Sequence, residues 1–305
     1  MSGRIRPGIA KIVGLMAVAL MAASCARGAE EPSSPTAPAT PTETPSPTVA
    51  PEMTTVTVYY LIDSVGRMWL APERHEVAET ARIGRAALEE LIEGRPQDPD
   101  HVTPIPTGAS VLDLTIEDGL ATVDWSAEVL EANVGAAGES LGIQSIVWTL
   151  TEFPTVNRVR FTVEGKAKGV ASNGRGIQDW WGHVGLYEQP FRRAEAIEVL
   201  EPITIWTPLD GDVVGPTFQV EGEASTFEAN VPIRIFDGDG DLVQTEVTTA
   251  TEGGPGRGTY RIEIAIDDVP ASAETWRLEA FEESAETGED FFVESREITV
   301  GEQAT

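Results

Sequence analysis

The chain holds one cysteine, Cys25, and three histidines in 305 residues, and it sets only 21 basic groups against 50 acidic ones. A single thiol excludes an internal disulfide, and with no further Cys or His beside it a structural zinc site around it is excluded too. The basic deficit gives a formal net charge of −29. Such a body repels phosphate backbones, which argues against nucleic acid as a partner, and it gains nothing from lying flat on anionic lipid. The apolar run IVGLMAVALMAA at 12–23 is too short to span a bilayer as a helix. No G-x-S-x-G elbow occurs, so a hydrolase nucleophile of that kind is absent.

What is present begins with Arg4, Arg6 and Lys11 ahead of that apolar run, the layout of a secretory signal peptide over 1–24. The run closes in Ala22, Ala23, Ser24 and Cys25, which resembles the bacterial lipobox, with Ala22 where Leu is usual. The lone cysteine falls on the one position that needs its sulfur, so Cys25 is the expected lipidation site and the cell membrane, extracytoplasmic face, the expected location. Residues 25–53 are rich in Pro, Thr, Ser, Ala and Glu. So little apolar surface does not offset the entropy of folding, and the segment reads as a tether able to reach roughly 80 Å at ~3.1 Å per residue. With residues 1–24 removed, 18 basic groups remain against 50 acidic ones, a charge of −32.

A first folded domain is expected over 54–177. VTVYYLI at 56–62 reads as a strand, Met68 to Leu70 as a second, and from about Val77 a helical face of Ile83, Ala87 and Leu91 runs to Gly94. Asp118-Gly119 between two apolar runs predicts a hairpin. Leu141, Ile146, Val147 and Leu150 mark a second helix, and VNRVRFTVEG returns to strand alternation. The order ββαββαβ predicts a compact α+β domain. From 197 to 301 seven short alternating segments, among them the Tyr260, Ile262, Ile264, Ile266 series, predict an all-β sandwich that folds alone.

AALEELIEGRP, IPTGASVLDLTIEDGLATVDWS and QSIVWTLTEFPTVNRVRFTVEG together resemble the GerMN domain of bacterial sporulation and spore germination proteins over roughly 56–170. ITIWTPLDGDVVGPTFQVEGEASTFEANVPIRIFDGDGDLV and WRLEAFEESAETGED resemble the immunoglobulin-like domain that accompanies it, over about 197–300. The resemblance implies a non-enzymatic extracytoplasmic module, and it assigns no catalytic residue.

Other motifs are weak. HEVAE at 75–79 is half a zincin signature, with Glu79 where the second His is needed, and His75, His101 and His183 read as surface histidines. DGDGD at 237–241 begins like an EF-hand loop but lacks its Gly and Glu, so a hairpin turn is expected. GGPGRG at 253–258 leads into a strand and reads as a flexible loop. No metal and no cofactor are expected. The remaining candidate is QDWWGHVGLYEQPF at 178–191, taken with the residues up to 196 as an interdomain segment. Trp180, Trp181, Tyr187 and Phe191 there either stack on a ligand or pack between the domains, and a short connecting segment favours packing. The function implied is a lipid-anchored binding or scaffolding protein of the envelope, whose partners are the membrane through Cys25 and a cell-wall glycan, peptide or envelope protein. The alternative is a secreted hydrolase of wall polymers.

Overall fold

The computed structural model describes residues 51–301 except Val65 and Ala285. The signal peptide, Cys25 and most of the tether lie outside the described residues.

The chain enters through a hairpin of two long strands, β1 (Met53–Ser64) and β2 (Arg67–Ala78), paired in register from Met53 opposite Ala78 to Ser64 opposite Arg67. The second strand is therefore far longer than Met68 to Leu70, and Val77 lies at its end and not in a helix. Pro72 and the charged residues around it hide that strand in the sequence. Pro72 is tolerated because it faces Tyr59, whose N–H and C=O are both turned away from β2. The Tyr59 N–H donates to Thr149 Oγ1 at 3.1 Å, and the Tyr59 carbonyl accepts from the Ser145 hydroxyl at 2.5 Å. Leu61 exchanges two bonds of 2.8 Å with Val102, and Glu201 N–H bonds the Leu70 carbonyl at 3.0 Å. Outward-facing backbone groups are thereby satisfied at these positions on both edges of the hairpin.

Helix α1 (Ile83–Glu93) buries Ala87, Leu88 and Leu91 and ends at Gly94, whose φ of 57° is the left-handed cap that glycine accepts without strain. Strands β3 (Val111–Glu117) and β4 (Leu120–Trp125) form the expected hairpin, with Asp118 and Gly119 both at positive φ, as a two-residue turn requires. Helix α2 (Gly135–Thr151) is apolar nearly all round and is buried accordingly. It crosses back to β5 (Arg158–Val163), which pairs parallel to β4. The α+β expectation for this domain holds.

After one turn of helix, α3 (Ala196–Val199), the second domain is all β. One sheet joins β6 (Ile203–Thr207), β8 (Thr217–Ala224) and β11 (Gly258–Ala265) in the order β11-β8-β6. The other has the order β10-β9-β12-β13-β7, from β7 (Val213–Val214), β9 (Asn230–Phe236), β10 (Leu242–Thr249), β12 (Glu274–Glu283) and β13 (Asp290–Val300). Alternating residues of both sheets meet in one core that includes Val220, Ile233, Ile264, Leu278 and Ile298, as a sandwich requires. DGDGD is the β9–β10 turn: the Asp237 carboxylate accepts from the N–H groups of Asp239 and Asp241 at 3.1 and 2.9 Å.

The hairpin β1–β2 belongs to both cores. Residues opposite each other share a face, so Val56, Val58 and Tyr60 enter the first core while Ile62, Trp69 and Ala71, further along the same face, enter the second. On the other face Tyr59, Leu61 and Leu70 pack with Leu141 and Trp148 of α2 and with Val199 and Leu200. The second core thus includes three hairpin residues, Ile62, Trp69 and Ala71, that lie outside 197–301.

Candidate functional site

The aromatic stretch at 178–191 does not lie between the domains. Trp180 and Trp181 are buried in the first core. Trp180 stacks on Phe161 of β5 with centroids 5.3 Å apart and planes at 14°, and on Trp181 at 5.5 Å. Trp181 donates its indole N–H to the Val129 carbonyl at 2.6 Å, and Gly142 of α2 has no side chain because a Cβ there would collide with the Trp181 ring. Phe191 exchanges two backbone bonds of 2.8 Å with Val159 and half-buries its ring against Phe161, extending the sheet past β5. Tyr187 is exposed, its hydroxyl donating to Asp179 at 2.6 Å. The buried Glu139 carboxylate accepts the N–H groups of His183 and Gly185 and holds the stretch to α2. These residues close the first core, and Tyr187 alone of the four is presented to solvent.

The surface that both domains build is the seam beside the hairpin. A cavity of about 320 Å³ there is lined by Tyr59, Arg74, Trp148, Arg193, Trp206 and Arg257. A second of about 480 Å³, sharing Arg257, is lined by Arg67, Trp69, Ile197, Phe227 and Phe291. Three guanidinium groups lie over indoles along this seam: Arg67 over Trp69 at 3.7 Å, Arg74 over Trp206 at 4.1 Å and Arg193 over Trp148 at 4.1 Å. Such cation–π contacts hold each guanidinium against its ring. Arg193 is engaged with Glu152 and Thr151, and Arg257 with Glu223, Thr204 and the Glu201 carbonyl. Arg74 makes no side-chain hydrogen bond or ion pair among the described residues. Ile197, Phe227 and Phe291 add an exposed apolar rim. In a chain this acidic, a concave surface of arginines and apolar rings is set apart from its surroundings.

Sequence reasoning missed this seam because its residues are far apart in the chain. Arg74 lies on β2, Trp148 on α2 and Trp206 on β6. GGPGRG has the composition of a flexible loop, yet Gly254 N–H is bonded to the Thr226 carbonyl at 2.9 Å and Arg257 reaches the seam.

Beneath the seam lies a buried polar cluster that corrects the reading of His75 and His101 as surface histidines. Glu73, His75, Asp98, His101, Glu201, Glu294 and Arg296 are all buried. Burial raises the Glu73 carboxyl, but bonds from His101 Nδ1 at 2.6 Å, His75 Nε2 at 2.8 Å and the Gln97 N–H at 2.7 Å outweigh it and hold the pKa at about 2. Burial opposes protonation of His101, yet the bond to Glu73 and the fields of Glu201, Glu294 and Asp98 push it up to about 9. Burial, helped by Glu294, pushes Glu201 up to about 8. Arg296 of β13 pairs with Asp98 of the first domain and with Glu294 at 2.6 Å, so the cluster ties the domains together. His183, by contrast, is partly exposed and 3.3 Å from Glu139.

Two family models match the chain. Residues 57–169 match the family described as sporulation and spore germination, and residues 202–289 match the immunoglobulin-like domain of bacterial spore germination. Among curated proteins the chain is similar to lipoprotein LpqB of Cutibacterium acnes, 29% identical over 114 residues, which is 37% of this chain and 19% of that protein. It is also similar to spore germination protein GerM of Bacillus subtilis, 23% identical over 205 residues, which is 66% of this chain and 52% of that protein. The chain thus covers less than two thirds of the length of either relative. Among solved structures, the tandem GerMN domains of GerM from Bacillus subtilis align over 71% of this chain and 62% of theirs, at 16% identity and a TM-score of 0.38.

Proposed function

Starting from a chain that carries a GerMN domain followed by an immunoglobulin-like domain of the bacterial spore germination type, we propose that it is a lipid-anchored binding protein of the cell envelope whose ligand face is the domain seam. Its relatives include a lipoprotein and a spore germination protein, which supports an envelope setting. The observation that carries the reading is Arg74, stacked on Trp206 across the seam with its N–H groups unengaged among the described residues. A polymer bearing carboxylate or phosphate groups suits it: the anion meets the guanidinium and the apolar backbone rests on the rim formed by Ile197, Phe227 and Phe291. The partner proposed is an anionic cell-wall polymer.

A hydrogen bond to a charged group contributes about 1.5–3 kcal/mol, and 1.4 kcal/mol is about tenfold in affinity. Arg74→Ser is therefore expected to weaken retention on purified cell-wall fragments by about tenfold or more, with the melting temperature little changed because the side chain is exposed. Tyr187→Ala, remote from the seam cavities, is the control and retains binding. Equal retention of Arg74→Ser and wild type overturns the seam assignment.

The anchor is a separate expectation, resting on the signal layout before Cys25. Cys25→Ala should shift the protein from membrane pellets to the medium or leave it as unprocessed precursor. A variant still processed and pelleted with membranes contradicts lipidation at that position.

A further inference from the structure

We infer that the buried cluster where the two domains meet is a binding site for a divalent transition-metal ion of the zinc class, held by Asp98 and His101 from the first domain and Glu294 from the second.

The donor atoms of these three residues lie within 4.8 Å of one another, and all three residues are buried. The His101 ring is oriented for the role. Its Nδ1 is 2.6 Å from Glu73 Oε1, and that carboxylate also accepts the Asp98 N–H at 3.0 Å. A proton on Nδ1 satisfies that bond and leaves Nε2 as the nitrogen available to a metal. Nε2 then points the other way, 4.0 Å from Asp98 Oδ2, and has no hydrogen-bond partner among the described residues. A carboxylate on one ring nitrogen with the other turned toward acidic oxygens is the arrangement that fixes the tautomer of a metal-binding histidine. Glu294 Oε1 is held by Arg296 Nη1 at 2.6 Å, the contact that an incoming cation would replace.

Charge supplies the independent argument. Four buried carboxylates, Glu73, Asp98, Glu201 and Glu294, share the cluster with the Arg296 guanidinium and the imidazoles of His75 and His101. Arg257, the next cation, is paired with Glu223 and reaches the cluster only through Thr204 and the Glu201 carbonyl. Glu201 accepts the Thr204 hydroxyl on Oε1 at 2.8 Å, and its Oε2 has no partner. Buried negative charge without a counterion costs several kcal/mol per ion, so these acids are balanced either by Arg296 together with protons or by a bound cation. One imidazole nitrogen and two carboxylate oxygens form a borderline donor set that suits zinc and disfavours calcium, which takes oxygen ligands alone. Zinc–ligand distances near 2.0–2.2 Å require the three donors to draw inward by about 1 Å. In the loaded site Arg296 yields Asp98 and Glu294 to the ion and keeps its bonds to the Ser295 and Ile205 carbonyls, at 2.7 and 3.1 Å here. Because the ligands come from both domains, the ion would act as a clamp across the seam.

The test uses the folded full-length protein, stripped with chelator and titrated with zinc and, separately, with cobalt as a spectroscopic stand-in. One equivalent is expected to bind, with cobalt giving the absorption of a low-coordinate site, and zinc should raise the melting temperature above that in chelator. Glu294→Gln removes one ligand without disturbing Glu73, and it should abolish the zinc-dependent rise and weaken zinc binding by more than the roughly 10–100-fold expected for an outer partner. If Glu294→Gln does not fold, the wild-type stoichiometry and cobalt spectrum decide alone. Wild-type protein that takes up no zinc or cobalt, and melts identically with zinc and with chelator, overturns the site and leaves protons as the neutralising charge.

Discussion

Trp180→Ala lowers the stability of the folded protein by about 3–5 kcal/mol, the range for truncating a large buried aromatic. Trp180 is among the largest fully buried side chains and is sandwiched between Phe161 and Trp181. Its loss removes the stack and leaves a cavity between β5 and the 178–191 stretch. The backbone there resists collapse, because Phe191 is bonded to Val159 and Gln189 Oε1 accepts the Phe161 N–H at 2.8 Å. Chemical denaturation measures the loss, and retention on wall fragments, measured where the variant is still folded, should remain at the wild-type level. An unchanged midpoint would contradict the packing role and return the tryptophans to the status of a ligand platform.

Arg296→Leu is expected to cost about 3–5 kcal/mol when melted in chelator, where no bound cation substitutes for the lost charge. Removing one member of a buried ion pair leaves the other uncompensated, and here two carboxylates, Asp98 and Glu294, lose the same partner. Leucine also forfeits the bond to the Ile205 carbonyl at 3.1 Å. Pairing Arg296→Leu with Asp98→Asn in a double-mutant cycle should show a coupling well above the few tenths of a kcal/mol typical of distant sites. Strict additivity would mean that the two domains are not held through this contact.

What the sequence discloses follows from the range of its signals. Asp118-Gly119, Gly94 after α1 and the alternation from Tyr260 to Ile264 are local, and each is found where period and turn chemistry place it. The run VTVYYLI is a strand, as its β-branched and aromatic residues indicate, and its lack of alternation carries a further meaning. From Val58 to Ile62 every residue is buried, because the hairpin is covered on both faces. The partner strand was cut short by Pro72, Glu73 and His75, residues that are usually at the surface. They are tolerated inside because their partners come from elsewhere in the chain, as with Asp98 and Arg296, 198 positions apart. No local pattern announces such a pairing. The aromatic stretch was read by its position between two textures, whereas its rings fit the groove over Gly142 in the first domain.

The hairpin also sets how the molecule carries mechanical load. A pull applied at Met53 enters β1 along its length, in the direction that shears its pairing with β2. A load taken up at the seam opposes it from the far part of the same strands, where Ile62 and Trp69 are gripped by the second core while Val56 and Val58 are gripped by the first. Shear loads the cross-strand bonds together, whereas peeling would break them one at a time. Because side chains of one hairpin fill both cores, drawing either domain away exposes apolar surface in the other, so under tension the two share the load.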